Sequence, residues 1–309
     1  MQTQLDRTRR LHRRKKTFAR NVWGYFFIAP WLIGFLWFTL IPMVYSLYFS
    51  FTKYDLFTAP VWTGLDNYIK LFQDEKMLTS FWVTFKFTFL SVPLRLVFAL
   101  FIAILLSKRH KGLGFYRTAF YMPSIVGGSI AVAIMWGQLF GHGGAIMSLM
   151  ERLGFPQQNS LLGSPDSALN VLILLAIWQY GSSMLTFLAG IKNIPDSYYE
   201  AAVIDGANSF QKFFKITLPL LTPVIYFNFI MQLISGFITF TQALVITNGG
   251  PLNSTLLTAL YMYRQAFEYH NLGYASAMAW VLLVVISIFT VLVVKTSDKW
   301  VFYESGGKN

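Results

Sequence analysis

Six runs of apolar residues, each long enough to cross a bilayer, constrain this chain more than any other feature. They lie near 22–46, 83–107, 119–140, 168–191, 218–246 and 275–295. Crossing about 30 Å of hydrocarbon takes roughly 20 helical residues. Lipid offers no partner to a free backbone N–H or C=O, so each run must be helical, and the runs are too long and unalternating for barrel strands. Composition agrees, because a chain that is 55% hydrophobic and only 12% charged has too little polar surface to cover a water-soluble globule. The expectation is an all-α membrane protein with six transmembrane helices. No repeat interrupts the core, so 22–296 reads as one domain between a basic tail (1–21) and a polar tail (297–309). There is no cysteine, which removes disulfide and thiol chemistry.

Charge placement orients the chain. Of its 25 Lys and Arg, 18 fall in the N-terminal tail, the second and fourth connections and the C-terminal tail, with Lys295 at the edge of the last span counted with the tail. The odd-numbered connections hold 5, and Lys86 and Arg95 lie within a span. By the positive-inside rule both termini are cytoplasmic. The stretch RTRRLHRRKK at 7–16 is read as a topology signal that touches anionic lipid, not as a nucleic-acid arm. It is not a cleavable signal peptide, since the apolar run after it is too long.

What the spans lack narrows function. All 13 Asp and Glu lie outside them, which removes the carboxylates of a proton relay and argues against an embedded transferase or metalloenzyme. His12, His110, His142 and His270 are scattered through tails and connections and read as polar surface, not a metal site. No G-x-x-x-x-G-K-[ST] loop is present to cradle ATP, so energy must come from a separate subunit. A secondary transporter or channel acting without an ATPase is the alternative.

Polar residues gather in two places. In the fourth connection (192–217), Ser197 and Glu200 read as a capping box after Pro195, opening a short helix through Asp205. Gly206 then suits a left-handed turn, and Asn208 or Ser209 can cap a second helix. Tyr199, Ala202 and Val203 fall on one side of the first helix with Glu200 beside them. In the fifth span Asn228, Gln232, Ser235, Thr239 and Gln242 recur at spacings of four and three, within about 80° of one helical face. Such a stripe either lines a pathway or bonds neighbouring helices. Gln179, Ser183 and Thr186, with Trp178 and Tyr180, form a facing stripe in the fourth span; rings and amides suit sugars, whose C–H faces stack and whose hydroxyls bond. Trp136 and Gln138 are weaker candidates of the same kind. Arg95, after Pro93 in the second span, costs about 2.5 to 3.5 kcal/mol in lipid. The readings open for it are that it faces water in a cavity, stacks on an aromatic ring, meets a carboxylate of a partner subunit, bonds helix-breaking carbonyls or, with Lys86, favours an acidic saccharide such as a uronate-containing oligosaccharide.

Glu200-Ala201-Ala202, three residues, Gly206, nine residues, then Ile216-x-Leu218-Pro219 resembles the EAA motif of ABC importer permeases in residues and spacing. SFTKYDLF (50–57), GLDNYIKLF (64–72), YMPS (121–124), TNGGP (247–251) and GYASAMAW (273–280) resemble the carbohydrate branch, the MalF/UgpA-like permeases, so the likeness covers most of residues 20–300. The resemblance implies a type I importer permease (MetI-like) fold in a bacterial or archaeal cytoplasmic membrane. It implies that Glu200, Ala201, Ala202 and Gly206 form a coupling helix seated on a cytoplasmic ATPase, two copies of which carry the ATP and Mg²⁺, so that this chain binds no cofactor. It also implies a second permease, and an extracytoplasmic solute-binding protein that meets Thr247, Asn248, Gly249, Gly250 and Pro251 and delivers a carbohydrate.

Overall fold

The structure is a computed structural model and describes residues 25–108, 112–155 and 160–302. The basic stretch at 7–16, His12, His110 and most of both tails lie outside the described residues. Among the described residues five helices are long and apolar enough to span a membrane, and a bent pair counted as one span makes a sixth. The first, α1 (Tyr25–Ser50), begins where the description begins, so the expected start at 22 is not described. A short antiparallel hairpin follows, β1 (Thr52–Lys53) with β2 (Val61–Trp62), then α2 (Asp66–Gln73). The central helix, α3 (Glu75–Ser107), is 33 residues long and keeps Pro93 inside it. At 1.5 Å per residue it extends about 50 Å, well beyond the hydrocarbon thickness, which is why it begins before the expected position 83.

Two apolar runs read as single helices are broken. The third divides into α4 (Leu113–Val126) and α5 (Ile130–Phe140), followed by α6 (Ala145–Arg152). The break is Gly127-Gly128-Ser129, and Ser129 Oγ caps α5 by accepting the Val132 N–H at 3.3 Å. The fourth divides into α7 (Pro165–Trp178) and α8 (Gly181–Lys192), bent by 40° at Gln179-Tyr180. Hydropathy is blind to both breaks because two or three residues change the mean of a window of about 19 very little. The fourth connection holds α9 (Asp196–Ile204), and α10 (Ser209–Phe237) is the fifth spanning helix. The expected continuous fifth span to 246 is corrected: the helix stops at Phe237, breaks over Ile238–Phe240, and resumes as a short, widened helical segment over 241–247. The β-branched run Ile238, Thr239 and Thr241 follows Gly236, a poor sequence for helix propagation. Then come α11 (Thr258–Tyr263) and α12 (Leu272–Ser297).

α3 is the hub: α2, α4, α7, α8, α10 and α11 all pack on it, while α1 lies against α12. Its buried residues include Thr84, Phe87, Ser91, Leu96, Ala99 and Ala103, the spacing of a helix face. In lipid, helices associate by close packing and interhelical hydrogen bonds and not by hydrophobic exclusion. Thr84 shows both, accepting the Thr258 N–H at 2.8 Å while its hydroxyl lies 3.0 Å from that of Thr258. At the hairpin end Asn67 Nδ2 donates to the carbonyls of Ser50 (2.9 Å) and Thr52 (2.8 Å). The Gly273 N–H donates to Tyr54 O at 3.1 Å, and a side chain at Gly273 would strike Thr52 O. The sequence stretches 50–57, 64–72 and 273–280 thus meet in one junction.

Candidate functional site

A break in a buried helix strands backbone groups, and here the strandings answer one another. The carbonyl of Gln179, at the α7–α8 bend, accepts from Arg95 Nη2 of α3 and from Ser124 Oγ of α4, the latter at 2.8 Å. The Gln179 side chain donates through Nε2 to the Gly127 carbonyl (3.1 Å) at the other break. Ser124 Oγ accepts the Ser182 N–H at 3.1 Å. Three spans are laced by Arg95, Ser124 and Gln179. A Cβ on Gly181 would lie 2.8 Å from Tyr121 Cα, so only glycine lets α8 approach α4 this closely. Of the readings open for Arg95, helix-breaking carbonyl bonding is the geometry found, because a carbonyl stranded at this depth is costly and a guanidinium helps satisfy it. Lys86 does not join it: nine residues along a helix is half a turn of phase, and Lys86 is exposed on the other face.

Beside this lacing lies a cavity of about 330 Å³ whose walls include Arg95, Gln179, Ser235, Thr239, Phe240 and Gln242. Five of the nine residues expected on a pathway therefore meet there. The expected continuous helical stripe is corrected, since Thr239 lies in the break after α10 and Gln242 in the helical segment that resumes beyond it, and both reach the cavity because of that break. Asn228 is buried and donates to Val224 O at 2.9 Å, while Gln232 Nε2 donates to Ser183 Oγ at 3.2 Å; both serve packing within the bundle. Trp178 rests against Trp136 (ring centroids 5.8 Å apart), and Trp136 is itself buried and stacked on Phe140. Tyr180 is buried edge-on to Phe98 at 4.8 Å, and Gln138 is exposed outside this cavity. Ser124 carries no signal in its own stretch; its partner, a carbonyl 55 residues away, is invisible in sequence.

At the opposite end from the hairpin, α9 and the start of α10 form an elbow. The expected capping box at Ser197 is corrected: Pro195 occupies the cap position, no side chain caps α9, and Ser197 already sits in its first turn. The turn at Gly206 has the expected left-handed φ of +73°, with the Ala207 N–H bonding Ala202 O (2.8 Å) and the Gly206 N–H bonding Val203 O (3.0 Å). Asn208 caps α10 in a full box with Gln211. Ala202 is buried and Tyr199 Oη lies 2.9 Å from Thr217 Oγ1, so these two face the bundle. Val203, expected on that side, is instead exposed with Ile204, Glu200 and Ala201, and together they form an apolar tip carrying one acid.

At the hairpin end Thr247–Pro251 folds as a tight loop. Arg264 Nη2 donates to both Asn248 O (2.7 Å) and Asn248 Oδ1 (2.8 Å), and Thr255 Oγ1 donates to Gly250 O at 2.7 Å. Asn248 is exposed and Gly249 is packed under Leu256. Nearby, Asp74 caps α3 through Oδ1 and accepts the hydroxyls of Tyr261 (2.6 Å) and Tyr274 (2.9 Å) through Oδ2. Burial pushes its carboxyl up, but those hydroxyls and the Met77 and Lys76 N–H groups outweigh it and hold it below its usual range. Burial and the Asp74 charge push the Tyr261 hydroxyl up, so it stays a donor. This cluster ties α3, α11 and α12 together, and no motif in the sequence announces it.

The geometry of a bundle with an elbow at one end has close counterparts. A bacterial ABC transporter involved in the import of the acidic polysaccharide alginate has a chain that superposes with a TM-score of 0.81 at 22% identity, covering 93% of this chain and 99% of that one. The probable ABC transporter permease protein YesP of Bacillus subtilis (strain 168) is 58% identical over 288 residues, covering 92% of this chain and 93% of its own. The multiple sugar-binding transport system permease protein MsmF of Streptococcus mutans is 34% identical over 281 residues, 90% of this chain and 96% of its own. A sequence profile of the binding-protein-dependent transport system inner membrane component matches residues 11–303. The chain therefore belongs to the family of inner-membrane permease components of binding-protein-dependent ABC transporters, and it is a multi-pass membrane protein.

Proposed function

We propose that this chain is one membrane half of an ATP-driven importer for a carbohydrate, an oligosaccharide delivered by an extracytoplasmic solute-binding protein. The observation that carries the reading is the convergence of Ser235, Thr239, Gln242 and Gln179 with the Phe240 ring on one cavity at two helix breaks. Amides and hydroxyls serve sugar hydroxyls and a ring stacks on a C–H face, which is the donor set a saccharide needs. Membership in a permease family with sugar-named relatives supports it. Arg95 is the one charged residue among the described residues lining the cavity, which supports an acidic saccharide over a neutral one.

In this reading ATP and Mg²⁺ sit on a separate ATPase, two copies of which grip two permeases, this chain and a second of a different sequence. The exposed tip of α9, with Glu200 and Ala201, seats on the ATPase; Ala202 and Gly206 shape that tip from within. ATPase closure moves the elbows, and the bundle reorients as a body because α3 packs along much of its length. The loop Thr247–Pro251 presents Asn248 toward the binding protein. The test is reconstitution of the complete importer in liposomes. Sugar accumulates with the ATPase and ATP and fails to accumulate with this chain alone. Accumulation by the isolated chain would establish the secondary-transport alternative instead.

A further inference from the structure

A second cavity, of about 670 Å³, opens at the elbow end, and nothing in the transport reading uses it. It lies where the last turn of α3, the start of α4, the end of α8 and the elbow meet, and its walls carry Lys108, Arg117, Lys192 and Lys212 against one carboxylate, Asp196. Four cations and one anion leave three positive charges uncompensated. Among the described residues no ion pair engages any of the four cations. Arg117 Nε is buried without a hydrogen-bond partner. A buried guanidinium nitrogen left unpaired is costly, and like charges gathered on one cavity repel. The wall also carries the Tyr199–Thr217 hydroxyl pair, which can donate.

We propose that this cavity binds a phosphate-bearing anion that bridges the transmembrane bundle to the elbow. A phosphate group matches what is missing: negative charge for four cations and several acceptor oxygens for a guanidinium fork and ammonium groups. Two sources carry that chemistry, the headgroup of an anionic phospholipid and a soluble phosphate. Both can reach the site: it lies at the end where the chain concentrates its Lys and Arg and hence where anionic headgroups gather, and it opens at the elbow end where soluble phosphate has access. Because Lys108 and Arg117 belong to the α3–α4 corner while Lys212 and Tyr199 belong to the elbow, occupancy would pin the coupling element to the bundle.

The experiment uses the full chain in nanodiscs and reads no transport, so its outcome is independent of the sugar assignment. Thermal stability and hydrogen exchange at 112–120 and 192–217 are measured in phosphatidylcholine, in phosphatidylcholine with phosphatidylglycerol, and in phosphatidylcholine titrated with inorganic phosphate. A saturable stabilisation with phosphatidylglycerol alone assigns a lipid headgroup; one with inorganic phosphate assigns a soluble anion; both together assign the phosphate group itself. Lys192→Gln and Arg117→Gln should each weaken the apparent affinity roughly tenfold, the loss of one charge-assisted bond. Arg117→Lys should keep part of it, and Lys215→Gln, outside the cavity, should change nothing. No stabilisation in either arm, or stabilisation that Lys192→Gln leaves intact, overturns the proposal.

Discussion

Arg95 is the residue on which the cavity depends twice, once as the donor that satisfies the Gln179 carbonyl and once as the charge on its wall. These roles separate by substitution. Arg95→Gln removes the charge and should lower the thermal stability of the purified chain by a few degrees, since the Gln179 carbonyl keeps Ser124 but loses its charged donor. If the charge also selects substrate, uptake of acidic sugars by the reconstituted importer should fall more than uptake of neutral ones, and an unchanged ratio would confine Arg95 to positioning. Gln242→Leu and Thr239→Val delete single hydrogen-bonding groups from the wall and should each weaken sugar affinity about 2- to 10-fold with little change in stability. Asp74 supplies a pH test. Its folded-state pKa is depressed, so its contribution is complete above the usual carboxylate value of 3.8 and is lost as pH falls through the lower folded value. Melting temperature should therefore drop at strongly acidic pH in the native chain, and Asp74→Asn should flatten that drop while lowering stability at neutral pH.

At the scale of elements, the elbow and the broken spans behave differently under mutation. Gly206 holds φ +73° with open space around it, so Gly206→Val adds no clash and only backbone strain, about 1 to 2 kcal/mol. The bundle should keep its melting temperature within a few degrees while sugar uptake falls, because the tip of α9 is re-aimed. Gly181→Leu is the contrasting case: its side chain would meet the backbone of α4, so expression of folded protein should fall outright. The elbow was legible in residues 200–219 because its turn and its second cap are local events, readable from Gly206 and Asn208. Its first cap was not, since whether Pro195 or Ser197 starts α9 depends on how α8 delivers the chain. The breaks at Gly127–Ser129 and Gln179-Tyr180 were invisible for a related reason. Each is stabilised by partners on other helices, Ser124, Arg95 and Gln179, and hydropathy reports a window of one helix at a time.

For the whole molecule, the prediction is the coupled one: without the ATPase the reconstituted chain should show no sugar accumulation above protein-free liposomes. Sequence alone determined that the chain crosses a membrane, that its spans are helical, and which connections carry positive charge. Those properties follow from the solvent, which acts on every apolar run in the same way wherever its neighbours lie. Tertiary structure decided which polar residues share a cavity and which merely hold helices together. Asn228 and Thr239 look alike on a helical wheel, but one bonds its own helix inside the bundle and the other reaches the cavity because α10 ends two residues earlier. A backbone group stranded at a break takes its partner from whichever element packs nearby, and that proximity is set by the fold and not by spacing along the chain.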